Sequence, residues 1–193
     1  HEGRTQQTEG ANAGEGRKTV KNEGRAAAQR TLGRNARGVW RVTVMDGLWI
    51  EGAEGRRRFH DRLAMSFEPA HADAALAYER AMRERNRMLK DGITDPSWYS
   101  AVEKQMAETG AQIERNRLHT ITRIAQAQSD ATTAFPSADL TLIGANGNDI
   151  IIDDLADAFA DNRRVDMAAG RTLLGPHRDD LNGIYAAKGT PAK

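Results

Sequence analysis

The chain has 193 residues, 39% hydrophobic, 5% aromatic and 28% charged, the balance of a one-domain soluble protein rich in exposed helix. It holds no cysteine, which excludes disulfide scaffolds and thiolate chemistry, and no run near ~18 apolar residues, which excludes a helical membrane span. The net charge of +1 hides an asymmetry, because residues 1–90 carry 18 Lys+Arg against 12 Asp+Glu while residues 91–193 carry 10 against 15; the first half is the one suited to a polyanion.

Residues 1–35 have Val20 and Leu32 as their only large apolar side chains, set among six glycines. Residues 17–25 read either as two short strands around a turn at Asn22 to Gly24 or as a disordered or edge segment. Val39 to Val44 is β-branched and aromatic and reads as a strand. Met45-Asp46-Gly47 turns the chain, and Leu48-Trp49-Ile50 packs before the turn at Glu51 to Gly55.

From Arg56 the pattern is helical, with Phe59, Leu63 and Phe67 at i, i+4 and i+8, until Pro69 interrupts it. A second helix is expected from about Ala70 to Lys90. Tyr78, Met82, Arg85 and Leu89 share one face of it, and Arg80, Arg83 and Arg87 the opposite face. Arg85 therefore lies in an apolar stripe, where a guanidinium needs a buried carboxylate or several carbonyls. After Gly92 and Pro96 a long helix is expected from Ser97 to about Gln128, with Trp98, Val102, Met106, Thr109, Ile113, Thr120 and Ile124 on one face. Such a rod pairs with its neighbour as an antiparallel αα arm.

Phe135-Pro136 ends the helical region, and Ala138 to Ile143 alternates as a strand. Gly144 to Asn148 is a loop, and Asp149 to Ile152 either continues the strand or opens the next segment. A helix from about Asp153 to Ala169 carries Leu155, Phe159 and Val165 or Met167, with Gly170 as its C-cap. Leu181 to Lys193 reads as a strand running into a loop.

The densest polar signal is Gly175-Pro176-His177-Arg178-Asp179-Asp180-Leu181. His177, Asp179 and Asp180 invite a metal or acid/base reading, even a small metal-dependent hydrolase. Three near neighbours cannot all aim into one pocket, however, so a constrained turn with Arg178 paired to a carboxylate competes with it. No catalytic residue and no metal ligand is assigned. Arg56, Arg57 and Arg58, and the stripe Arg80, Arg83 and Arg87, suit phosphate contacts. The competing reading is a solvated helix face with neighbouring partners about one turn away, Glu79–Arg83 and Glu84–Arg87 or Lys90. There is no Walker A loop, H-E-x-x-H or G-x-S-x-G.

Several motifs, in order, resemble the RecF family of bacterial DNA replication and repair proteins. Gly55 to Asp61 resembles the family's run of arginines before Phe and Asp. Arg85-Asn86-Arg87-Met88-Leu89 resembles its R-N-x-L-L helix, and Asp95-Pro96-Ser97-Trp98 opens the long helix. Asn162 to Asp166 and Gly170-Arg171-Thr172 lead into the signature Arg171 to Leu181, and Lys188 to Ala192 resembles the loop before S-T-G-E-Q-K.

The resemblance implies an α/β fold: a partial ABC-type ATPase head, β-rich, interrupted by a helical, antiparallel lever-arm domain. Residues 1–58 would belong to the head, 59–170 to the lever arm, and 171–193 to the return into the head. It implies a cytoplasmic protein that binds ATP and Mg²⁺, forms an ATP-dependent homodimer, and works with RecO and RecR at single-strand/double-strand DNA junctions in recombinational repair, fork maintenance and the SOS response. His177, Arg178, Asp179 and Asp180 are placed by it near the nucleotide or the dimer interface. Val44 stands where the family has the Q-loop glutamine, and a valine offers no side-chain amide for water or magnesium. The start at His1 and the missing Walker A, signature and Walker B segments lead to the expectation of a piece of a longer chain, without cofactor or ATP hydrolysis of its own. The alternative from another class is a helical protein-interaction module that binds neither DNA nor nucleotide.

Overall fold

Pro69 and the Asp95-Pro96 pair divide the helical sequence into three, and a computed structural model breaks the chain at the same places. It describes residues 48–49, 52–132, 137–186 and 189–191. The expected turn at 17–25, the strand at 39–44 with Val44, and the residues at 45–47 lie outside these.

Helix α1 (Ala53–Phe67) follows the extended Gly52 and carries Glu54 in its first turn, where a carboxylate complements the helix dipole. Helix α2 (His71–Lys90) ends with Arg87 and Lys90 in its last turn, and Gly92 turns the chain with φ +69°. Helix α3 (Pro96–Asp130) is 35 residues long, about 52 Å at 1.5 Å per residue. Asp95 caps it by accepting from the Ser97 amide at 2.9 Å and the Ser97 hydroxyl at 2.7 Å, with Pro96 in the first turn where no amide is needed.

Helices α2 and α3 form an antiparallel hairpin, since Arg85 meets Glu103 while Asn116 meets His71. Strand β1 (Ala138–Ile143) pairs antiparallel with β2 (Asp180–Tyr185), from Ala138 opposite Tyr185 to Ile143 opposite Asp180, and β3 (Thr190–Pro191) adds to the far side of β2. Between β1 and β2 run a 3-10 turn at Ala145–Gly147 and helix α4 (Leu155–Ala169). Gly170 ends α4 in the left-handed region at φ +64°, as the sequence suggests. Asp149 to Ile152 is not a strand.

Tyr78, Ala81, Met106, Ala111, Ile113, Leu155 and Phe159 form the main apolar core, and Met88, Leu89 and Tyr99 a second cluster against Ile93, Val102 and Met167. Two expected apolar positions differ, Trp98, which is 63% exposed, and Phe67. Of Val165 or Met167 on α4, Met167 is the one that packs inward, against the second cluster. On α1 the buried positions are Gly55, His60 and Ala64, and Phe67 lies near the surface under the Arg123 guanidinium, 4.9 Å from its ring centre. On α3 the inward face also includes Glu103, Glu114, Asn116 and Arg117, which the expected stripe left out. The buried face is half polar because it meets charged partners on α1, α2, α4 and the turn before β2.

Candidate functional site

The segment from Gly170 to Asp179 has no regular structure before β2, so its backbone polar groups need partners from elsewhere. Gly175 adopts φ +106°, and a Cβ there would fall 2.7 Å from the Tyr78 hydroxyl and 3.2 Å from Phe159. Only glycine combines that torsion with that approach. The Arg178 amide closes the turn on the Gly175 carbonyl at 2.8 Å, and Pro176 is fully buried.

Two buried guanidinium groups hold this segment. The first is Arg85, which has no exposed surface. It donates to Glu103 Oε1 at 3.0 Å, Asp166 Oδ2 at 2.7 Å, Thr172 Oγ1 at 2.8 Å and the Phe159 carbonyl at 2.8 Å. Arg163 also pairs with Glu103, so two cations answer two carboxylates. Asp166 Oδ1 accepts from Asn162 and from the Leu173 amide, and Asn86 Oδ1 accepts from both the amide and the hydroxyl of Thr172. The odd arginine in the apolar stripe is the hub joining α2, α3, α4 and the segment.

The second is Arg117, 3% exposed. It holds Asp61 through two bonds, Nε to Oδ1 at 2.8 Å and Nη2 to Oδ2 at 3.2 Å, and reaches Glu114 Oε1 at 3.2 Å and the Pro176 carbonyl at 2.8 Å. Asp61 also meets His71 Nε2 at 3.1 Å. Burial works against the Asp61 charge, but the hydrogen bonds from His71 and Arg117 outweigh it and bring the carboxyl down to about 2. His60 donates to the Arg117 carbonyl at 3.1 Å, and burial lowers it to about 4.

The residues singled out in Gly175–Leu181 diverge. His177 Nε2 faces the Thr172 carbonyl at 3.1 Å and Nδ1 faces the Tyr78 hydroxyl at 2.9 Å. The carbonyl can only accept, so Nε2 carries the proton and Nδ1 accepts from Tyr78. Burial first, then the charges of Arg178, Arg57 and Arg117, lower this imidazole to about 4. Asp179 is buried beside the Glu114 carboxyl and takes the Ala145 amide, while its carbonyl accepts from Arg57 at 3.0 Å. Asp180 chelates Arg56 at 2.8 and 2.6 Å. Arg178 is exposed, and no ion pair of it with a carboxylate is found among the described residues. The turn is constrained as expected, but its carboxylates are answered by arginines of α1 and α3 instead of by Arg178.

Arg56 and Arg57 thus bind the strand and the turn. Arg80, Arg83 and Arg87 stay on the exposed face of α2, with Glu79 3.5 Å from Arg83 and Glu84 3.6 Å from Arg87. A cleft of about 310 Å³ beside Arg117 is lined by Arg57, Arg58, Asp61, Tyr78, His177 and others. Among the described residues no group of three or more His, Asp and Glu has a metal-binding arrangement. The Gly144–Asn148 turn closes on itself, with the Gly144 amide donating to the Asn148 carbonyl at 2.8 Å, and the atoms nearest a Gly144 Cβ are the carbonyls of Asp149 and Asn148, so this turn offers a phosphate no free amide at Gly144. Glu103, Glu114 and Arg117 escaped the sequence reading, and Asp61 and Asp166 entered it only as the ends of family motifs. Arg85 was the one signal for Glu103 and Asp166, since a buried guanidinium requires carboxylates somewhere.

No protein-family model matches the chain. It is 42% identical over 191 residues to the DNA replication and repair protein RecF of Brucella suis biovar 1 (strain 1330), covering 94% of this chain and 50% of that protein. It is 46% identical over 152 residues to the protein of the same description from Rhizobium rhizogenes (strain K84 / ATCC BAA-868), covering 74% and 40%. Among solved structures it resembles the recombination mediator protein RecF-ATP in the RecFOR pathway, with a TM-score of 0.62 at 19% identity over 74% of this chain and 40% of that one. The chain spans about half the length of the curated relatives it matches.

Proposed function

The chain belongs to the RecF family, and we propose that it serves DNA replication and repair by binding DNA. The observation that carries this reading is the 42% identity over 191 residues to a protein described by that function. In this reading residues 59–170 are a lever arm set into an ABC-type ATPase head to which 1–58 and 171–193 belong. ATP with Mg²⁺, an ATP-dependent homodimer, RecR and RecO, and the SOS response are attributes of the intact family member in the cytoplasm. His177, Arg178, Asp179 and Asp180 lie toward its nucleotide or dimer interface, and Val44 takes the Q-loop position.

Arg80, Arg83 and Arg87 are the phosphate contacts. They face solvent on one helix, and their carboxylate neighbours at 3.5 and 3.6 Å are exposed pairs of small net strength, which a phosphate displaces at little cost. Arg56 would have to abandon the buried side of Asp180, so it and Arg57 contribute less.

Fluorescence anisotropy with gapped DNA and with blunt duplex, across a salt series, tests the reading. Three phosphate contacts predict a log–log slope of affinity on salt of about −2 to −3, at roughly 0.7–0.9 per contact. Tighter binding of the gapped substrate is expected. Weak, salt-insensitive association would contradict DNA binding and favour the protein-interaction module.

A further inference from the structure

Glu114 and Asp179 are both buried, with 0% and 4% exposure, and their carboxyls lie side by side between α3 and the turn before β2. The nearest cation is Arg117, and its guanidinium is already engaged. Two of its nitrogens serve Asp61, and Nη1 divides between Glu114 Oε1 and the Pro176 carbonyl. Glu114 Oε2 is buried with no hydrogen-bond partner among the described residues. Three carboxyls therefore surround one guanidinium, and a buried charge without a partner is not tolerated.

Among the other groups facing this pair Arg57 brings the one further guanidinium, and its hydrogen bond goes to the Asp179 carbonyl, so three carboxyls still outnumber the two cations. From α1 come Asp61, His60, whose Nε2 bonds to the Arg117 carbonyl, and Arg57, which donates to the Asp179 carbonyl. From α2 come Tyr78, whose hydroxyl is committed to His177, and His71, which is committed to Asp61 and Asn116. From the turn and β2 come His177, held by the Thr172 carbonyl, and Asp180, which is answered by Arg56.

We propose that Glu114 and Asp179 share one proton at neutral pH, and that this proton latches the Gly175–Asp180 turn onto α3. While it is present, one carboxyl donates to the other and the pair carries a single negative charge beside Arg117. When it leaves to solvent base, two adjacent buried carboxylates repel. Asp179, on the turn, is the one able to move out. The Arg57 and Arg117 bonds to the carbonyls of Asp179 and Pro176 loosen with it, and the entry to β2 changes. In agreement, burial and the Asp179 charge push the Glu114 carboxyl up to about 8 despite Arg117, and burial raises Asp179 as well. The deprotonated state thus lies within reach of mildly alkaline solution.

The test uses the full chain and two readouts: carbon-13 titration of the side-chain carboxyls, and hydrogen exchange of the turn amides corrected for intrinsic rate. Expected are a carboxyl titrating near pH 8 and turn protection that falls by up to about tenfold per pH unit as pH rises toward that value and levels off above it. Glu114→Gln keeps a donor for Asp179 and removes the proton. It should hold the turn's protection constant between pH 6.5 and 9, and Asp179→Asn should do the same from the other side. If one variant fails to fold, the other carries the comparison. Both carboxyls titrating in the ordinary range, or alkaline loss of protection unchanged in the variants, would overturn the latch. His60 and His177 titrate below this window and Tyr78 above it, so none of them mimics the signal.

Discussion

A guanidinium without exposed surface persists only where every neighbouring charge is answered, and Arg85 satisfies this with Glu103, Asp166, Thr172 and a carbonyl. Removing it strands two buried carboxylates, of which Glu103 retains Arg163 and Asp166 retains only neutral donors. Arg85→Ala is expected to cost about 3–5 kcal/mol in urea unfolding. Arg163→Ala, at a side chain 23% exposed, should cost clearly less. Titrating residues set a second expectation. His60 and His177 are held near 4 in the folded state against an ordinary 6.5, so the unfolded chain binds more protons between these values. Their contribution is complete above about 6.5 and lost as pH falls toward 4. Glu114 is raised from 4.5 to about 8 and acts in reverse, losing its contribution as pH rises through that range. Asp61, held near 2, adds a further loss below about 3.8. Thermal stability should peak near about pH 6.5, with the alkaline limb flattened in Glu114→Gln and the acid limb in His177→Gln.

At the level of elements, the sequence punctuation was legible and the helix faces were less so. Pro69, Asp95-Pro96 and Gly170 each mark a boundary through a local constraint of ring, cap or torsion, and local constraints survive folding. The inward face of α3 was misread at Trp98, which is exposed, and left out Glu103, Glu114 and Arg117, because a pattern argument follows apolar residues alone. It has no means of pairing Arg117 with Asp61, 56 residues away. The turn's glycines offer a test at this scale. Gly175→Ala brings a Cβ within 2.7 Å of the Tyr78 hydroxyl at φ +106°, whereas Gly147 has φ +81° but open space. Gly147→Ala should cost about 1 kcal/mol from its torsion alone. Gly175→Ala should cost about 1–3 kcal/mol more through overpacking and should break the Tyr78–His177 bond, visible as a raised His177 pKa in a histidine proton titration.

At the scale of the molecule, the charge count overstates the basic surface of the described residues. Arg85 is spent inside, and Arg56 and Arg57 tie β2 and the turn to α1, so three arginines described in the positive first half are structural. The motif order made the family legible, yet the roles within the motif were not: His177, Asp179 and Asp180, adjacent in sequence, go to Tyr78, Glu114 and Arg56 on three helices. Of the arginines of α2, Arg80, Arg83 and Arg87 remain solvent-facing, and the proposed function needs that face to meet DNA. The direct measurement is gapped-DNA affinity at low salt for Arg80→Glu, Arg83→Glu and Arg87→Glu combined, beside a charge-matched reversal at the exposed Arg62, Arg115 and Arg164. The account predicts at least a roughly tenfold loss and a salt slope reduced by about 2–3 for the α2 variant, with a much smaller change for the control. Equal losses in both, or affinity unchanged in the α2 variant, would contradict it.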